Sequence, residues 1–235
     1  MQERYKNKYF SVLGDSISTL DGYSEPKGAA YYELFYKMES GVLTPADTWW
    51  GQVIETLGGQ LLRNNSISGS TVCWYPSYEV PSYGCSDERT SALDKDGVQP
   101  DVIMVFLGTN DWGAGIPVAS ASTLKKDEEN LALFGNAYLK MLEKLKGNYP
   151  SAEVWCLTLP ISTCSAVKGF KFPYYYGGRH IAEYCEGIEN AAQACGCRVI
   201  DLYRYGVPHD TMDGFHPNAK GMKTLVAGVL SGLKK

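Results

Sequence analysis

The chain has 235 residues, 44% of them hydrophobic and 20% charged, with a formal net charge of −4. That length suffices to bury a substantial core as one domain over residues 1–235, and the absence of a clustered Lys/Arg excess argues against a nucleic-acid partner. No window reaches the roughly 18 consecutive apolar residues of a membrane span, and the opening "MQERYKNKYF" has no apolar signal core, so the chain as given reads as cytoplasmic, with export of a longer precursor left open.

Strand and helix signals alternate along the chain. Tyr9 to Leu13 reads as a first strand, and Asp47 to Leu57 ("DTWWGQVIETL") as a helix capped by Asp47 or Thr48. At its head, Trp49 and Trp50 should place at least one indole in the core. Gln60 to Asn64 is a short second strand. "PDVIMVFLGTND" holds a continuous apolar run, Val102 to Leu107, as expected of a strand covered on both faces.

Asp127 to Leu145 follows as a helix whose Leu131, Phe134, Tyr138, Leu142 and Leu145 form one apolar stripe. "AEVWCLTLP" reads as a fourth strand, Arg179 to Ala194 as a helix, and "CRVIDLY" as a fifth strand. Pro217 to Leu233 closes the chain as a helix with Pro217 in its first turn. Five strands separated by helices predict an open α/β sheet in a three-layer α/β/α sandwich. Two long irregular stretches, Thr19 to Pro45 and Thr71 to Gln99, follow strand C-terminal ends, where such sheets build their sites.

The seven cysteines (Cys73, Cys85, Cys156, Cys164, Cys185, Cys195 and Cys197) are odd in number and irregular in spacing, which fits free thiols in a reducing compartment. Cys195-Gly-Cys197 lacks a second pair or a nearby His, so no metal site is expected. "NNS", Asn64 to Ser66, formally matches a glycosylation acceptor, but it lies at a strand end and is set aside.

Four short segments lie at or just past strand ends: "GDSIS" (14–18), "NNSISGST" (64–71), "GTND" (108–111) and "DGFHP" (213–217). Each alone reads equally as turn or cap chemistry. Together they meet the needs of acyl transfer. A serine hydroxyl such as Ser16 is a poor nucleophile until a base takes its proton. The chain offers three histidines. His180 falls at a helix start and reads as a surface residue, and His209 lies in a loop with Asp210 directly after it. His216 has Asp213 three residues earlier on a Gly-containing turn, where the carboxylate can hold the ring's Nδ1. Asp210 remains a rival orienter for either ring. Gly69 would let a backbone N–H meet a substrate oxygen, Asn110 offers a side-chain amide, and the Ser16 N–H is a third donor for an oxyanion. Asp15 and Asp111 are expected to bond backbone N–H groups and fix their loops. A G-x-S-x-G elbow is absent.

The four segments, in this order, resemble the SGNH hydrolases, also called GDSL-type esterases and lipases. "GDSIS" carries that family's serine, "NNSISGST" its glycine, "GTND" its asparagine and "DGFHP" its acid and histidine. The first motif departs mildly, with Ile-Ser where the family name has Leu. The resemblance implies a flavodoxin-like sandwich with a five-stranded parallel sheet. It assigns Ser16 as nucleophile, His216 as base and Asp213 as its orienter, with Ser16, Gly69 and Asn110 forming the oxyanion hole. It also implies ester hydrolysis without a metal or organic cofactor.

The long loops are rich in aromatics, among them Tyr23, Tyr31, Tyr32, Phe35, Tyr36, Trp74, Tyr75, Tyr78 and Tyr83. Polar-edged rings suit stacking on sugars, so the expected substrate is a short acyl ester of a carbohydrate-like alcohol, although the same tyrosines would serve to pack the loops. A lysophospholipase, lipase or acyltransferase would use the same residues. The rival from another class is a non-catalytic sugar- or nucleotide-binding module. Oligomeric state is not legible.

Overall fold

The computed structural model describes residues 2–25, 27, 30–74, 83–119 and 131–234, apart from the side chains of residues 34 and 35. Five parallel strands form one sheet: β1 (Tyr9–Gly14), β2 (Gln60–Ser66), β3 (Val102–Phe106), β4 (Glu153–Leu157) and β5 (Arg198–Ile200), in the order β2-β1-β3-β4-β5. This is the expected α/β sandwich. The central strand β3 is buried along its whole length, as its unbroken apolar run predicts. Strand order reverses between β1 and β3, the switch point at which open α/β sheets leave a crevice beyond their carboxyl ends.

Four longer helices cover the sheet: α1 (Trp49–Leu57), α2 (Phe134–Asn148), α3 (Ile181–Ala194) and α4 (Ala219–Gly232). Helices α1 and α4 pack together, as do α2 and α3. Right-handed crossovers that run outward from β1 in opposite directions put these pairs on opposite faces. Among the described residues, no helix is long and apolar enough to cross a membrane.

Several element ends differ from expectation, each through local hydrogen bonding. Helix α1 begins at Trp49 because Thr48 Oγ1 accepts from Gly51 N at 3.0 Å, whereas Asp47 accepts from Leu43 and Thr44 N in the preceding turn. Both indoles of Trp49 and Trp50 are buried. Helix α3 begins at Ile181, since Arg179–His180 pairs antiparallel with Tyr175–Tyr176 and His180 caps the helix. Strand β5 stops at Ile200 because Asp201 caps a helical turn, Leu202–Tyr205. Helix α4 begins at Ala219, capped by Asn218, so Pro217 precedes the helix instead of opening it. Strand β2 runs two residues further than expected, to Ser66, which buries Asn64 inside the sheet. Helix α2 begins at Phe134 and keeps the predicted stripe from there to Leu145, whereas Leu131, expected on that stripe, lies in the turn that precedes the helix. Its expected start at Asp127, like Tyr75 and Tyr78 and the Phe35 side chain, lies outside the described residues.

Candidate active site

Strand β1 ends at Gly14, and a tight helical turn, Ser16–Ser18, follows at once. The turn requires glycine, since a Cβ on Gly14 would lie 2.6 Å from the Ser18 Cβ and 2.8 Å from the Ser66 Oγ. Asp15 caps it, its Oδ1 accepting from Ile17 N at 3.0 Å. Burial pushes the Asp15 carboxyl up to about 7 against the Ile17 N–H bond and the charges of His216 and Arg89. Beneath the turn, Ser18 Oγ accepts from Trp49 Nε1, and Ser18 O accepts from Trp50 Nε1 and Asn64 Nδ2. Helix α1 and strand β2 thereby hold the serine turn from below.

His216 reaches Ser16 from the far end of the sequence. Its Nδ1–H donates to Asp213 Oδ2 at 2.6 Å, which leaves Nε2 to accept the Ser16 hydroxyl at 2.8 Å. Asp213 Oδ1 accepts from His216 N and Phe215 N at 2.8 and 2.9 Å. Burial alone would raise the Asp213 carboxyl, but the bond to the His216 ring, its charge and these two N–H donors hold it below the usual carboxylate range. Gly214, at φ +101°, makes the turn between acid and histidine possible. The loop is clamped by Gly214 N to Thr211 Oγ1 and by Ser162 Oγ to Gly214 O.

The glycine and asparagine segments meet each other. Asn110 lies in the turn Thr109–Gly113 after β3, and its Nδ2 donates to Ser70 O at 2.9 Å, beside Gly69 at φ +77°. The second hydrogen of that amide remains to donate elsewhere. Next to it, Asp111 is buried with Oδ2 accepting from Val72 N and Oδ1 from Cys73 N, and burial raises its carboxyl to about 6. Both aspartates thus fix loops through backbone N–H groups, as expected.

The other histidines are used elsewhere. His209 is buried with Nδ1 2.8 Å from Ile161 O, and burial lowers its proton affinity. Asp210 accepts from Ser165 N and Oγ and orients neither ring. Five cysteines are buried and two half-buried, and none forms a disulfide. Among the described residues, no cluster of His, Cys, Asp or Glu could hold a metal.

Two residues at the site escape sequence reasoning. Arg89 stands in "DERT", inside the irregular stretch Thr71 to Gln99, and is only 2% exposed. Its guanidinium donates to Asn65 Oδ1, to Ser70 Oγ at 2.9 Å, to Gly14 O at 3.0 Å and to Asn65 O at 2.8 Å, bridging the ends of β1 and β2 to the Gly69 loop. Burial draws its proton affinity down to about 10, against the opposing charge of Asp15. Tyr31, expected only as one of many loop aromatics, lies flat on the His216 ring. A small apolar cavity of about 20 Å³ adjoins the site, lined among others by Ile17, Thr109, Trp112, Phe172 and Phe215. Three of these are sequence neighbours of Ser16, Asn110 and His216.

A parallel α/β sandwich with hydroxyl, imidazole and carboxylate chained at its strand ends marks the hydrolase class. The GDSL-like lipase/acylhydrolase family model matches residues 8–160, and the chain belongs to that family. A protein from Bacteroides uniformis assigned as a GDSL-like lipase is 31% identical, with 97% of this chain and 96% of that one covered and a TM-score of 0.73. Another so assigned, from Bacteroides ovatus, is 26% identical over 97% and 99%, with a TM-score of 0.74. A carbohydrate acetylesterase from Sinorhizobium meliloti shares the fold at 16% identity, over 97% and 98%, with a TM-score of 0.63. Among curated proteins, no sequence matches this chain. The protein is therefore a hydrolase of the GDSL type.

Proposed function

We propose that the chain is a serine esterase acting on a short acyl ester of a carbohydrate-like alcohol. The observation that carries this reading is the unbroken path from Asp213 Oδ2 through both nitrogens of His216 to Ser16 Oγ. As an ester carbonyl approaches, His216 Nε2 takes the Ser16 proton while Oγ bonds to the carbonyl carbon, and the carbonyl electron pair moves to oxygen. The Ser16 and Gly69 N–H groups and the Asn110 amide would stabilise that oxyanion. Collapse expels the alcohol, which receives the proton from His216. Water, deprotonated by the same nitrogen, then releases the acid and frees Ser16.

The small apolar pocket beside the site, lined by Ile17, Trp112, Phe172 and Phe215, supports a short acyl group. Support for a carbohydrate alcohol comes from exposed aromatics in the loops, Trp74 and Tyr23, and from the acetylesterase that shares the fold. Fluorophosphonate labelling and hydrolysis of p-nitrophenyl acetate, both lost in Ser16→Ala, test the nucleophile. A panel of acetylated sugars against medium-chain esters tests the substrate, and faster turnover of the medium chains would refute the short-acyl reading.

A further inference from the structure

We infer that Tyr31 is a positioning residue that holds the His216 ring in register with Ser16, an inference that rests on the triad reading above. The two rings are nearly parallel, 6° apart in plane, with centroids 3.6 Å apart. The Tyr31 hydroxyl donates to Asp213 Oδ2 at 3.3 Å, the same oxygen that takes His216 Nδ1–H. Its backbone is tied to the serine turn: Thr19 Oγ1 accepts from Tyr31 N at 2.8 Å and donates to Ser16 O at 2.8 Å. Its neighbour Tyr32 is fully buried and donates from its hydroxyl to Pro217 O at 2.7 Å, one residue beyond His216. One dipeptide therefore reaches the serine, the imidazole, the carboxylate and the loop behind them.

This arrangement answers a mechanical need. Ser16 and His216 lie at opposite ends of the chain, on different loops, and Asp213 fixes only the Nδ1 edge of the ring. A hydrogen bond along one edge leaves the imidazole free to pivot about it, which would swing Nε2 off Oγ. A flat ring pressed on the imidazole face removes that freedom. Tyr36 stacks on Tyr31 in turn, at 4.5 Å and 15°. Two rings parallel to Tyr31 at these spacings occupy both of its faces, so it is not a platform for a sugar.

The test is steady-state hydrolysis of p-nitrophenyl acetate by Tyr31→Leu and Tyr31→Phe, beside Ser16→Ala. Loss of the stack should lower kcat by roughly twofold to thirteenfold, the worth of one aromatic pair, with KM unchanged. Tyr31→Phe keeps the stack and should restore kcat to within about twofold of the parent, as expected for losing one long, partly exposed hydrogen bond. A Tyr31→Leu protein with parental kcat, a rise in KM alone, or a phenylalanine variant as poor as the leucine one would each overturn the inference. In the unaltered protein, the His216 ring protons should be shifted upfield by the tyrosine ring current; unshifted resonances would overturn it even if Tyr31→Leu fails to fold. Full activity in Ser16→Ala would remove the triad reading and this inference with it. An inactive Ser16→Ala beside an unimpaired Tyr31→Leu would remove the inference alone.

Discussion

Replacing Arg89 with methionine is the most direct probe of what holds the site together. The substitution keeps an unbranched apolar stem but deletes a guanidinium that donates to four buried acceptors on Gly14, Asn65 and Ser70. Each acceptor left without a donor costs about 1–3 kcal/mol, and such costs overlap because the loop relaxes. Removing the cation also relieves its own desolvation, visible in the drop of its proton affinity to about 10. The net loss should be about 3–5 kcal/mol, the range for breaking a buried charge network. For a domain of this size, that is a fall of roughly 6–20 °C in Tm. Calorimetry with urea unfolding measures it. A fall of less than about 3 °C, worth about 1 kcal/mol, would show that Arg89 is dispensable and that the Gly69 loop is held by other means.

Two further outcomes follow from the site. Asn110→Ala should lower kcat by about a hundredfold or more with KM little changed, because the amide is assigned to the transition-state oxygen; a rise in KM alone would make it a ground-state contact. Asp15→Asn keeps the acceptor for Ile17 N but cannot ionise. The Asp15 carboxyl titrates near 7 when folded and near 3.8 when unfolded, so the native state holds the extra proton and stability falls as pH rises between these values. The asparagine variant should therefore gain about 2–3 kcal/mol on the parent between pH 5 and pH 8, read from urea midpoints, and parallel pH profiles would refute the assignment.

Most of the sheet was legible because β1, β3, β4 and β5 are built on short apolar runs, whereas β2 is largely polar. Ser16 and Asn110 sit a few positions beyond β1 and β3, but Asp213 and His216 lie in a loop well after β5 and were legible only by their own spacing. Ser16 and His216 could be paired from sequence only by chemistry, since 200 positions separate them. Helix starts were less legible: His180 and Asn218 cap α3 and α4, and an imidazole cap leaves no ordinary sequence sign. Arg89 and Tyr31 were illegible for a different reason. A charge between Glu88 and Thr90 looks solvated until the fold closes over it, and one tyrosine among many in a loop is distinguished only by the ring it meets.

The residues that the motifs name and the residues that hold them in place therefore belong to two separate sets. Ser16, Gly69, Asn110 and His216 lie on four segments, and none of the four is rigid by its own sequence. Rigidity comes from buried polar groups bonded across segments: Trp49, Trp50 and Asn64 on Ser18, Arg89 on Gly14 and Ser70, Asp111 on the Val72–Cys73 backbone, and Tyr32 on Pro217. Such groups are costly to bury and costlier to leave unpaired, so each bond has one well-satisfied geometry and few near alternatives. That is the physical condition for a hydroxyl and an imidazole to meet at 2.8 Å before any substrate arrives. Catalytic power in this fold should accordingly be as sensitive to those buried donors as to the motif residues they carry.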